Sequence, residues 1–200
     1  MQLFITKEEQ QTMADFNKAI KVVLKHEGGY VNNPNDSGGA TNFGISLRFL
    51  KDHEEGDFNK DGVVNVTDIK NMTIEQAAAI YKLFWWDKYR YGQIIDQTIA
   101  VKIFDFSVNM GAKRAHILLQ EALNEAFDLN LKPDGIIGPA TMQVINAIKD
   151  GGEEQKLITA YCDTAWGFYQ RLIAKNSKLK VFEKGWKNRA YSINKANSLD

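Results

Sequence analysis

The sequence predicts a mainly α fold of about six or seven helices with one small β-hairpin near the N-terminus. Apolar residues recur at helical spacing along most of the 200 residues, and the only strand-like fragments fall in one stretch rich in glycine and asparagine. Composition is ordinary for a globular chain, with 44% apolar, 11% aromatic and 25% charged residues. Collagen-like, coiled-coil and wholly disordered chains are poor fits to those values.

The first helix is expected from an N-cap at Thr12, through Phe16, Ile20, Val23 and Leu24 at i, i+4, i+7 and i+8, to about Glu27. Residues 28–46 hold five glycines, one proline and four asparagines around the fragments Tyr30-Val31 and Phe43-Gly44-Ile45. Turns and a hairpin follow from that composition. A polar segment covers 51–68. Thr73 and Gln76 then form a capping box ahead of Ala77, Ile80, Tyr81, Phe84 and Trp85. Further helical periods run through Ile99, Ile103, Phe104 and Val108, through 115–126, and through 157–173. Pro139 suits the first position of another helix, which should stop before Gly151-Gly152.

Charge narrows the function. Lys plus Arg is 25 and Asp plus Glu is 25, so no global positive field exists to hold a polyphosphate, and nucleic acid is not expected as a partner. One local asymmetry stands out in 175–195, where seven bases face a single acid, Glu183. Such a run is more often a solvated face than a binding patch. The lone cysteine, Cys162, lies among apolar helical residues and is read as a small core residue. Residues 1–13 show no apolar signal region, and no run approaches the roughly 18 apolar residues of a membrane span. The expectation is a monomer made in the cytoplasm without a recognisable signal peptide and without stable membrane insertion.

The chemistry-bearing stretch begins at Glu27, immediately before Gly28-Gly29, at the end of an amphipathic helix and facing the hairpin region. A glutamic acid partly buried against apolar neighbours holds its proton to higher pH, because desolvation disfavours the anion, and can then donate to a glycosidic oxygen. Asp36 follows with eight residues between, so a folded-back hairpin would place two acids across one cleft. The hydroxyl of Thr41 and the amide of Asn42 suit a water or a sugar hydroxyl. The plainer reading is that Glu27 balances surface charge and Asp36 makes an Asx turn.

The run Lys25-His26-Glu27-Gly28-Gly29-Tyr30, with Asn33-Pro34, Asp36, Gly38-Gly39, Thr41-Asn42 and Gly44-Ile45, resembles glycoside hydrolase family 108, lysozyme-like N-acetylmuramidases. The resemblance continues through Val108-Asn109-Met110-Gly111 and Leu119-Gln120. At Asp134-Gly135-Ile136-Ile137-Gly138-Pro139-Ala140-Thr141 it meets the peptidoglycan-binding segment that accompanies that family. It implies a lysozyme-like fold and cleavage of the β-1,4 bond between N-acetylmuramic acid and N-acetylglucosamine, with peptidoglycan as partner and Glu27 as the essential acid. The protein would then act on the wall in the periplasm or outside the cell. Asp36 takes the second carboxylate position of phage lysozymes. Thr41 falls one position before the usual threonine, where Asn42 stands instead. Tyr30, Asn42 and Asn109 are the expected substrate contacts within these motifs.

On this reading 12–95 forms a catalytic lobe with an insertion at 57–68, and 96–180 forms a helical lobe with the wall-binding segment. Broad apolar stripes on both sides of the seam at 92–96 favour one structural domain. The alternative function is a non-catalytic peptidoglycan-binding or secretion-associated protein that keeps the fold.

Two other features are candidates. Residues 57–68 fit a twelve-position cation loop, with Asp57, Asn59 and Asp61 at positions 1, 3 and 5, glycine at 6, the Val63 carbonyl at 7 and Asp68 at 12. A structural calcium ion is expected there, with a metal-free Asx-rich turn as the alternative. Trp86 and Tyr91, at the end of the second long helix, are expected to line the cleft and stack on sugars, against the plainer reading of core packing.

Overall fold

The computed structural model describes residues 13–32 and 39–192. Asp36 and Thr12 therefore lie outside the described residues.

Helix α1 (Phe16–His26) is capped by Asp15, whose carboxylate accepts from the N–H groups of Asn17 and Lys18 at 2.6 and 3.1 Å. Such a cap contributes about 1 kcal/mol. Ala19, Ile20, Val22 and Val23 form its buried face. Glu27 is the C-cap residue, in extended conformation, so the chain turns away there and carries the side chain to the helix end.

The expected hairpin is present, with its register shifted relative to the fragments in the sequence. β1 (Thr41–Asn42) pairs antiparallel with β2 (Ile45–Ser46), Thr41 opposite Ser46 and Asn42 opposite Ile45. Phe43 and Gly44, expected as strand, form the two-residue turn instead, with φ of 48° and 76°. A turn of this kind needs two positive φ values, and glycine supplies one without steric cost. Val31 bridges Thr41 through two 2.8 Å backbone bonds, so the chain leaving Glu27 returns beside β1.

α2 (Leu47–Leu50), α3 (Val66–Asn71) and α4 (Ile74–Tyr81) follow. The Thr73–Gln76 capping box forms as the sequence predicts. α4 runs into a π-helical segment, Lys82–Asp87, which the apolar period does not foretell. Three consecutive aromatics pack there, Phe84 and Trp85 on Phe49 and Trp86 on Phe104.

α5 (Gln97–Met110) is the central helix, with an unbroken buried run from Ile99 to Ser107. A helix apolar on all sides is one that other elements surround. Here α1, α6 (Ala112–Phe127) and α8 (Glu154–Lys175) pack around it. α7 (Pro139–Asp150) begins at Pro139 and ends before Gly151, as expected. A 3₁₀ segment, Ser177–Phe182, leads to α9 (Glu183–Tyr191) against α8. One cluster of buried apolar side chains extends from Ala14 to Ala190. Cys162 is part of it.

Candidate active site

Glu27 is held by residues from three distant parts of the chain. Its Oε1 accepts a 2.9 Å bond from Nη2 of Arg189 on α9, and the Glu27 side chain is 16% exposed. Arg189 also binds Asp105 on α5: Nε donates to both carboxylate oxygens at 3.2 and 3.3 Å, and Nη2 lies 2.9 Å from Oδ1. Burial works against the guanidinium charge, but the adjoining Asp105 and Glu27 carboxylates more than offset it, so Arg189 stays cationic. α9 is tied down by Lys102, whose buried Nζ donates to the carbonyls of Arg189 and Ser192 at 2.8 and 3.0 Å.

The hairpin closes the other side. A side chain at Gly44 would overlap Oε2 of Glu27 and come within 2.7 Å of its Cδ and of the Tyr81 hydroxyl. That hydroxyl donates to the carbonyl of Phe43 at 2.8 Å, pinning the turn onto α4. Burial, and secondarily the Glu27 charge, push the phenol far above its ordinary range, so Tyr81 remains a donor at any physiological pH.

The other expected site residues divide into exposed or half-buried and buried ones. Tyr30 is exposed beyond Glu27, and Thr41 is half-buried in β1. Asn109 is exposed near the end of α5 and accepts a bond from the Tyr169 hydroxyl. Asn42 is buried and its amide donates to the Ile69 carbonyl at 3.0 Å, so it joins the hairpin to α3 and does not reach outward. Trp86 and Tyr91 are core residues. Trp86 meets Phe16, Phe104 and Tyr91 edge-on, and the Tyr91 hydroxyl is taken by Ser107 and His116. Apolar rings at helical spacing bury themselves when a central helix offers the surface, and here α5 does.

The loop at 57–68 is closed by its own hydrogen bonds. Asp57 accepts from the N–H groups of Asp61 and Gly62 at 3.2 and 2.8 Å, Asn59 from Asp61 at 2.9 Å, and Asp61 from Val63 at 2.9 Å. The Val63 carbonyl accepts from the Asn65 amide. Asp68 is buried, accepts from Phe58, Asn59 and Asn65, and completes the capping box of α3. Among the described residues no group of three or more His, Cys, Asp or Glu side chains is arranged to hold a metal ion. The loop's order thus has a source in Asx turns and a helix cap.

Asp105 and Arg189 are the site residues that sequence reasoning missed. Asp105 carried a signal: a carboxylate inside an apolar run on the most enclosed helix must find a cation. Nothing separates Arg189 from the six other bases of 175–195 until α9 docks.

Residues 20–111 match the family model for Glycosyl hydrolase 108, and residues 114–191 match Predicted Peptidoglycan domain. Among solved structures, that of Brucella abortus SagA is 27% identical with a TM-score of 0.66, over 89% of this chain and 90% of that one. No curated protein sequence matches. Fold and family matches together define a mainly helical, lysozyme-like glycoside hydrolase acting on peptidoglycan. The chain thus carries a glycosyl hydrolase 108 segment over residues 20–111, followed by a peptidoglycan-domain segment over 114–191. The Glu27–Arg189 ion pair joins the two matched segments. No described helix is long and apolar enough to cross a membrane.

Proposed function

We propose that Glu27 is the general acid in hydrolysis of the β-1,4 bond between N-acetylmuramic acid and N-acetylglucosamine. One observation carries this reading: the Glu27 carboxyl, mostly enclosed yet partly open to solvent, is fixed by Arg189 through Oε1 and backed by Gly44 on the Oε2 side. Fixing a proton donor in place removes the cost of orienting it during the reaction. Arg189 is shared between two carboxylates, so a proton on Glu27 leaves the guanidinium paired with the more enclosed Asp105. Oε2, turned toward the hairpin, is the oxygen that delivers the proton to the leaving oxygen.

Asp36 supplies the second carboxylate, as water-activating base or as partner to the oxocarbenium-like transition state, and Thr41 assists the attacking water. Exposed Tyr30 and Asn109 contact the glycan. End-group analysis of digested peptidoglycan tests the bond: borohydride reduction should convert new N-acetylmuramic acid ends, and new N-acetylglucosamine ends would contradict the proposal.

The residue pattern of 57–68 further supports a structural calcium ion on that loop, with Asp57, Asn59, Asp61, Asp68 and the Val63 carbonyl as ligands. Binding would draw the carboxylates off the N–H groups they accept from and onto the ion, adding to the stability of the loop, and would take no part in chemistry. Calcium should then raise the thermal midpoint and EDTA should lower it, because a ligand that binds only the folded form stabilises it. A midpoint indifferent to both, with no ion found by elemental analysis, would remove calcium from the account.

A further inference from the structure

The contact that holds Glu27 continues outward along α9. Trp186 stands three residues before Arg189 on the same face of α9, and Phe182 is the last residue of the 3₁₀ segment that leads into that helix. Trp186 lies over Tyr169 of α8 with ring centroids 4.9 Å apart and planes 20° from parallel. Phe182 lies over Trp186 at 5.5 Å and 28°. α5 runs a matching line: Asp105 touches Arg189, and Asn109, one turn further, accepts the Tyr169 hydroxyl. One turn of α5 and one turn of α9, running in opposite chain directions, therefore link the Glu27 anchor to a stack of three rings.

Exposure rises along that stack. Tyr169 is 2% exposed, Trp186 is half-buried and Phe182 is 51% exposed. The stack ends on an open ring. Along the axis of α9, Trp186 stands about 5 Å from Arg189, roughly the reach of one pyranose unit, and Phe182 lies beyond it, stacked on Trp186.

We infer that Phe182, backed by Trp186, is a stacking platform for sugar units of the peptidoglycan strand that lies across Glu27. This rests on the reading of Glu27 as a glycan-cleaving acid. The C–H face of a pyranose packs on an aromatic ring as an apolar surface does, and continuity with the Glu27–Arg189–Asp105 contact commits the face to that same strand. Exposed Lys184, on the same helix, suits a polymer whose stem peptides carry carboxylates.

The test compares Glu27→Gln with the double variant Glu27→Gln, Phe182→Ala, by co-sedimentation with purified peptidoglycan and by tryptophan fluorescence during titration with an N-acetylglucosamine tetramer. Losing one aromatic face should weaken binding about three- to tenfold. The thermal midpoint should not move, and Phe182→Tyr should restore binding. Trp186→Phe, which keeps a ring under Phe182, should bind nearly as the parent does. Equal binding with and without the Phe182 ring would overturn the platform. So would a sedimentation coefficient that falls on Phe182→Ala without glycan, since the face would then serve self-association. A Glu27→Gln protein that still cleaves would sink the acid and leave the binding comparison intact.

Discussion

Glu27 takes its position from side chains 78 to 162 positions away in sequence, and the guanidinium of Arg189 is the hinge of that arrangement. With Arg189 at 9%, Asp105 at 2% and Glu27 at 16% side-chain exposure, the cluster is too enclosed for solvent to replace a missing partner. Removing one member of a buried ion pair typically costs about 3–5 kcal/mol. Asp105→Asn should approach that loss in urea denaturation, and should also slow peptidoglycan hydrolysis, because the guanidinium would then settle on Glu27 alone. A variant as stable and as active as the parent would show that the pair does not position the acid. At this scale the sequence was half legible. Glu27 stands out through its place before two glycines, whereas its partners depend on tertiary contacts that no local pattern records.

Among the elements, the hairpin is the one whose conformation bears directly on the acid. Gly44 has φ of 76° and no room for a Cβ beside Glu27 and Tyr81. Gly44→Ala should therefore destabilise the fold by about 1–3 kcal/mol through the unfavourable backbone. It should also displace the Glu27 carboxyl and reduce turnover beyond what instability explains, measured at a temperature where the variant remains folded. Unchanged turnover would mean that the turn and the acid are not in contact. Elements with strong punctuation were readable in the sequence: the Thr73 box, Pro139, the glycines after α7, and the long period of α8. The π segment and α9 were not, because an aromatic run and a basic run both take their structure from the surface they dock against.

Across the whole molecule, the core passes without interruption from α1 to α9, and the two family segments meet at the catalytic candidate itself. Asn146 of α7 ties onto the stretch at 92–96, accepting from the Ile95 N–H and donating to the Gln93 carbonyl. The first matched segment ends at Gly111, where α5 gives way to α6, and the second begins at 114 in the first turn of α6. With no net charge to steer a polymer, affinity must come from local contacts along the strand. The mainly helical class with one hairpin was legible because helical periodicity is a local property. The burial of Trp86 and Tyr91 was not, since rings at helical spacing look alike whether a neighbour or a ligand covers them. The most direct measurement is turnover of purified peptidoglycan by Glu27→Gln, which keeps the side-chain shape and removes the acid. The account predicts a fall of at least about a hundredfold with the fold and wall binding retained. Turnover at the parent rate would contradict it.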